Sequence, residues 1–246
     1  MAIGFIGSGN MARALAHGLG EPVLATDAGS GRSAALVGEL GGEAPAGNAE
    51  LARRAELVIL CHKPAQLEAV AVEAAPAARR VISVLAGVPL ERLRAAYPEA
   101  EVVRAMPNTA VEIGEGVTCL CTDGAPELGP AARALFERVG LVVSLPERLI
   151  DVATAISGVA PAYVALIAEA WIDAAVRHGL PTAQASELVG ASLRGSATLL
   201  RARGMDTLAV RRGVTSPAGV TSRGLAALEA GGLRAAFARA TDEVLR

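Results

Sequence analysis

The chain opens on Met1-Ala2-Ile3-Gly4-Phe5-Ile6-Gly7-Ser8-Gly9-Asn10-Met11-Ala12, and no other stretch restricts its fold so tightly. A short apolar run meets Gly7, Gly9 and Ala12 in G-x-G-x-x-A spacing, and Arg13-Ala14-Leu15-Ala16 then continues with helical character. Strand, small-residue turn and helix in that order make a dinucleotide-binding turn. The first small residue permits the tight reversal, the second lets backbone approach a pyrophosphate, and the third lets helix pack on strand. Free N–H groups then meet the anion at the positive helix end. A glycine-rich turn at any strand-helix junction is the plainer explanation; Asp27, twenty residues past Gly7, weighs against it.

The first half keeps that alternation. Pro22 to Thr26 has strand character and delivers Asp27 to its carboxyl edge, where such sheets meet an adenosine ribose. An acid there accepts from both ribose hydroxyls and repels a 2′-phosphate, favouring NAD(H), whereas Ser30 and Arg32 just beyond suit a 2′-phosphate. A third reading makes Asp27 the start of an Asp-Ala-Gly-Ser turn and nothing more. Helical stretches follow at Ala34 to Leu40 and from Asn48, a candidate cap, through Arg54. Leu57-Val58-Ile59-Leu60-Cys61 and Val81-Ile82-Ser83-Val84-Leu85 are unbroken runs of the kind parallel sheets bury on both faces. They exit into His62-Lys63-Pro64 and Ala86-Gly87, so polar or small groups stand where each strand leaves the sheet. Further strands are expected at Glu101 to Ala105, Val117 to Cys121 and Leu141 to Val143, with a helix at Pro126 to Val139. Cys119 and Cys121 alternate as small core residues, since no other Cys or His stands at metal-ligand spacing, and no metal site is expected.

From Glu147 onward strand signals vanish. Leu149 to Ile156, Ala162 to His178, Thr182 to Ala202 and Leu233 to Leu245 are helical by composition and period, with Gly179-Leu180-Pro181 as a stop. The chain therefore divides into an α/β, Rossmann-like doubly wound domain over 1–146 and an all-α domain over 147–246. Tyr163, Val164, Leu166, Ile167, Trp171, Ile172 and Val176 cover most of one helix's circumference, as expected of a surface buried against another subunit or, more plainly, of a two-helix core within one chain. Val214-Thr215-Ser216-Pro217-Ala218-Gly219-Val220-Thr221-Ser222 interrupts the helices with hydroxyls and opens into a helix at Arg223 to Ala230. Such a start either holds a small anion, for instance a substrate carboxylate, or simply caps its own helix.

Charge and composition exclude several classes. A net charge of -2 with no basic stripe argues against nucleic-acid or anionic-membrane partners. Three cysteines are too few for a disulfide framework, no signal peptide precedes the first strand, and no run of eighteen uncharged apolar residues occurs. A cytoplasmic protein acting on a small molecule is expected.

Several motifs together resemble one family, pyrroline-5-carboxylate reductase. They are Gly4 to Ala12, His62-Lys63-Pro64, Ser83 to Gly87, Arg104-Ala105-Met106-Pro107-Asn108-Thr109, Ser157 to Tyr163, Gly179-Leu180-Pro181 and Val214 to Glu229, in the family's order and spacing. The resemblance implies hydride transfer from NADP(H) or NAD(H) to the C=N carbon of 1-pyrroline-5-carboxylate, giving L-proline. It implies a helical domain that interlocks between subunits, as a homodimer or higher oligomer. Together with the dinucleotide turn, which sets the cofactor on Gly7, Ser8, Gly9, Asn10, Met11 and Asp27, it places Lys63, Pro64, Ala86, Gly87, Pro107 and Asn108 at the nicotinamide end; His62 lies near the cofactor edge, in contact with it or as a surface residue beside it. The substrate carboxylate falls to Ser216, Pro217, Gly219, Val220 and Thr221, and no residue is assigned as a catalytic acid or base.

Departures from the family lie at Val159, Ala160, Ala218 and Val220, where glycine or hydroxyl residues are usual, and at Thr26-Asp27, where relatives carry phosphate readers. Two rivals remain. A hydroxyacid dehydrogenase is expected to need a lysine in its second domain, and Lys63 is the only lysine of the chain. A nucleotide-sensing module needs neither Met106-Pro107-Asn108 nor the loop after Val214.

Overall fold

The computed structural model describes residues 1–246, in two compact units, Met1–Pro161 and Ala162–Arg246. In the first, β1 (Ile3–Ile6), β2 (Val23–Thr26), β3 (Gly42–Glu43), β4 (Leu57–Leu60), β5 (Arg80–Ser83), β6 (Glu101–Pro107), β7 (Gly116–Cys121) and β8 (Gly140–Ser144) form one sheet. Their spatial order is β3-β2-β1-β4-β5-β6-β7-β8. The helices of this unit are α1 (Asn10–Leu19), α2 (Arg32–Leu40), α3 (Asn48–Arg54), α4 (Leu67–Ala74), α5 (Leu90–Ala96), α6 (Leu128–Glu137) and α7 (Ile150–Ser157).

β1 is central because it is apolar on both faces. It pairs in parallel with β2 (Ile6 opposite Thr26) and with β4 (Ile6 opposite Leu60), so the order reverses on either side of it. Phe5, Ile59, Ile82 and Val103 share one core with Leu15 of α1 and Phe136 of α6. Ile6, Val58, Leu60 and Val81 share the other with Leu51 of α3, Leu67 of α4, Leu93 of α5 and Ile150 of α7. Each fully buried Leu, Ile or Phe contributes roughly 1.5–3 kcal/mol of transfer free energy, which is what holds helices on both faces. Two strands depart from the parallel pattern: β7 runs antiparallel to β6, with Arg104 opposite Cys121, and β8, parallel to β7, keeps the reversed direction. The link Asn108 to Glu115 is too short for the crossover helix a parallel return requires.

The division into units falls later than the change of sequence pattern at Glu147. α7 belongs to the sheet because Ile150 is fully buried in its core, Arg104 in β6 pairs with Asp151 at 2.5 Å, and Asn108 Nδ2 donates to the Ser157 carbonyl at 3.0 Å.

The second unit consists of α8 (Ala160–Arg177, which starts just before it), α9 (Thr182–Ala202), α10 (Thr207–Gly213), α11 (Val220–Ala230) and α12 (Leu233–Val244). Gly179, at φ +93°, ends the turn after α8 in a left-handed conformation, and Pro181 caps α9. α10 was not expected from sequence; it is short and starts on Asp206, whose carboxylate accepts from Ala209 N at 2.8 Å. Only Ala185 and Val189 of this unit are buried, while Leu166 is 65% and Trp171 50% exposed. Residues 147–177 form the one stretch long and apolar enough to cross a bilayer, at mean hydropathy 1.7. A turn at Gly158-Val159 divides it, and Asp151, Glu169 and Asp173 interrupt it.

Candidate active site

The carboxyl ends of β1, β2 and β4 surround a cavity of about 530 Å³. Gly7 makes its floor possible. At φ +94° it occupies left-handed space, and a Cβ would stand 2.5 Å from the His62 backbone nitrogen. The turn is pinned by Gly7 N donating to Thr26 O at 3.0 Å and Cys61 N to Ile6 O at 2.8 Å. Gly9 has the opposite role. A Cβ there would meet nothing within 4 Å, so the glycine opens on empty space where α1 begins and the unpaired N–H groups of its first turn point outward. A diphosphate suits that cradle in size and charge.

The walls carry the side chains singled out by sequence. Gly7, Ser8, Gly9, Asp27, His62 and Lys63 all line the cavity. The Ser8 hydroxyl is spent on Thr26 O at 3.0 Å. His62 Nδ1 donates to the Lys63 carbonyl at 2.9 Å, which leaves Nε2 as a buried acceptor with no partner in the chain. Burial holds its pKa below the usual histidine value, the Lys63 bond opposing it, so the ring is neutral at neutral pH. Burial pushes the Cys61 thiol up, so it stays protonated and is no nucleophile. Asn10 lies in an adjoining hollow with Arg13 and Arg32, and Met11 turns inward against the core. Pro64 starts the turn after Lys63.

The remaining expected residues are not in this cavity. Ala86 and Gly87 are exposed after β5, while Pro107 and Asn108 are buried at the end of β6. The Asn108 amide is consumed within the protein, accepting from Val117 N at 3.2 Å and donating to Ser157. Asn48 is not the expected helix cap; Gly47 takes that position. The Asn48 side chain instead accepts from Thr26 Oγ1 at 2.7 Å and donates to Glu73 at 3.0 Å, lining the cavity with Glu73 and Gln66. Gln66 lies in the turn directly after Lys63-Pro64, whereas nothing in local sequence marks Glu73, because α4 reaches the cavity only through the packing of the sheet.

In the helical unit the loop before α11 is a tight turn, Gly219 N donating to Ser216 O at 3.0 Å. Ala218 sits at φ +57°, left-handed space that glycine fills without strain. Ser222 Oγ donates back to Gly219 O at 2.8 Å, and the α11 N-terminus opens beyond it with Val220 and Thr221 in its first turn.

A doubly wound sheet with an open glycine cradle at its switch point defines a dinucleotide-binding protein. Residues 2–87 match a family model described as NADP oxidoreductase coenzyme F420-dependent, and residues 147–246 one described as pyrroline-5-carboxylate reductase dimerisation. The pyrroline-5-carboxylate reductase of Thermus thermophilus is 38% identical over 256 residues, covering 100% of this chain and 97% of its own length. That of Synechocystis is 39% identical over 203 residues, covering 81% and 76%. The solved 1-pyrroline-5-carboxylate reductase of Streptococcus pyogenes superposes with a TM-score of 0.90 at 31% identity, covering 99% of this chain and 96% of that one. The Plasmodium falciparum enzyme with NADP bound gives 0.89 at 27% identity, covering 99% and 95%. The chain belongs to the pyrroline-5-carboxylate reductase family.

Proposed function

We propose that the chain reduces 1-pyrroline-5-carboxylate to L-proline with NAD(P)H, as a step of proline synthesis in the cytoplasm. The observation that carries this reading is the Gly9 cradle, open on a 530 Å³ cavity, in a chain whose later residues match the reductase dimerisation model. When bound, the reduced nicotinamide supplies a hydride to the imine carbon. Gly7 shapes the turn and Ser8 to Met11 hold the diphosphate through backbone N–H groups, while Lys63-Pro64, Ala86-Gly87 and Pro107-Asn108 shape the nicotinamide end. Ser216, Pro217, Gly219, Val220 and Thr221 hold the substrate carboxylate at the start of α11, an eleven-residue helix whose dipole favours an anion.

A cyclic imine nitrogen is basic enough to be protonated from water, so these residues need contribute orientation more than acid-base chemistry. Orientation is worth up to about 7–11 kcal/mol in well-aligned reactions. The unit Met1–Pro161 acts as the dinucleotide domain and Ala162–Arg246 as the substrate and dimerisation domain of a homodimer or higher oligomer. Incubation of the purified protein with 1-pyrroline-5-carboxylate and each reduced cofactor tests the reading. Loss of nicotinamide absorbance with stoichiometric L-proline is expected, and cofactor binding without proline formation would overturn it.

A further inference from the structure

The cofactor cavity carries a feature that the reduction itself does not use, in the loop between β2 and α2. Asp27, at the end of β2, is half-buried on the cavity wall, and each of its oxygens is already doubly engaged. Oδ1 accepts from Gly29 N at 2.8 Å and Ser30 N at 3.0 Å. Oδ2 accepts from Ser33 N at 2.8 Å and Ser30 Oγ at 3.0 Å. Three backbone N–H groups and a hydroxyl thus converge on one point beside the start of α2, with exposed Arg32 on the same wall. Convergent N–H groups of this kind are what a phosphate requires. Here the chain supplies the anion itself.

Resting on the cofactor reading above, we infer that Asp27 occupies with its own carboxylate the place a cofactor's 2′-phosphate would take, so that the chain selects NADH over NADPH. A 2′-phosphate would have to displace the carboxylate from its four donors or stand against its charge without them. The bonds keep Asp27 ionised, with its pKa lowered to about 2, chiefly by the Ser33 N–H, so the repulsion persists throughout the physiological range. The mechanism differs from the usual one for an acid at this position, which accepts from the ribose hydroxyls. With its lone pairs committed to Gly29, Ser30 and Ser33, Asp27 has little left for the ribose. Removing it therefore vacates an anion site while leaving NADH affinity largely intact.

Calorimetry on the full-length protein tests this with NADH, NADPH, AMP and adenosine 2′,5′-bisphosphate as probes. The wild type is expected to bind NADH at least tenfold more tightly than NADPH. In Asp27→Ala, NADPH and adenosine 2′,5′-bisphosphate should gain at least tenfold in affinity, while NADH and AMP change less than threefold. Asp27→Asn keeps an acceptor for the Gly29 and Ser30 N–H groups without the charge; it should fold as the wild type does and show a smaller gain of the same sign. Equal wild-type affinity for the two cofactors would overturn the inference alone. A tenfold loss of NADH affinity in Asp27→Ala and Asp27→Asn, with no gain for the 2′-phosphate probes, would also overturn it, by making Asp27 a ribose acceptor. Failure of the wild type to bind any of the four probes would overturn the reading of the cavity, and this inference with it.

Discussion

Gly7 and Gly9 stand two positions apart and are glycine for unrelated reasons, which substitution separates. At Gly7 any side chain collides with the His62 backbone and strains a left-handed φ, so Gly7→Ala damages the fold. At Gly9, φ is -79° and the space is open, so Gly9→Val leaves the fold intact and fills the cradle instead. Thermal unfolding close to that of the wild type, with NAD(P)H binding weakened at least about a hundredfold (~2.7 kcal/mol), is expected by calorimetry; retained affinity would remove the diphosphate from this turn. Asp27 makes a second residue-scale prediction. Its folded pKa of about 2 lies below the ordinary 3.8, so its contribution to stability is fully present above about pH 4 and is lost as pH falls from there toward 2. The stability gap between wild type and Asp27→Asn, measured by chemical denaturation, should be constant from neutral pH down to about pH 5 and close below about pH 4.

Among the elements, α7 shows how one motif can be spent on architecture. Arg104, only 2% exposed in the middle of β6, meets Asp151 at 2.5 Å and Glu147 at 3.6 Å, while Asn108 holds the other end of the helix through the Ser157 carbonyl. Removing both acids strands a buried cation. Glu147→Gln combined with Asp151→Asn should cost roughly 3 kcal/mol, and adding Arg104→Met should recover most of it, because a buried charge without partners is worse than an apolar side chain. A triple variant no more stable than the double would show that Arg104 is not the source of the penalty. For α11 the element-scale test is Thr221→Val, which removes a hydroxyl from its first turn. A hydrogen bond to a charged group is worth roughly 1.5–3 kcal/mol, so the KM for pyrroline-5-carboxylate should rise about tenfold or more with cofactor affinity unchanged. The reverse pattern in steady-state kinetics would take the substrate carboxylate away from this loop.

For the whole molecule, the helical unit is too apolar outside and too thinly buried inside to stand alone. Leu166, Trp171, Leu188 and Phe237 are all exposed, and Tyr163 and Phe237 meet edge-to-face at 6.3 Å as its one aromatic pair. A patch of this kind marks an interface, and the match of residues 147–246 to a dimerisation model says that the occupant is a second copy. Leu166→Glu with Trp171→Glu should therefore shift the protein from dimer or larger to monomer in sedimentation equilibrium, and lower its unfolding temperature. An unchanged mass would place the interface elsewhere.

How much of this was legible in the chain differs from one part to the next. The β1 turn, the buried runs of β4 and β5, and the helical second half all follow from local patterns of small and apolar residues, since steric and hydrophobic periodicity act over a few positions. Gly7, Ser8, Gly9, Asp27, His62 and Lys63 were readable as one site because strand ends in a parallel sheet share an edge. The roles of Asn48, Glu73 and the Asn108 amide were not, because the partners of a side chain are set by elements 9 to 49 residues away, brought together only by packing. Sequence determined that Asp27 carries a charge at the cavity; the tertiary structure decided that its four donors come from its own loop, because hydrogen-bond direction depends on coordinates and not on residue type.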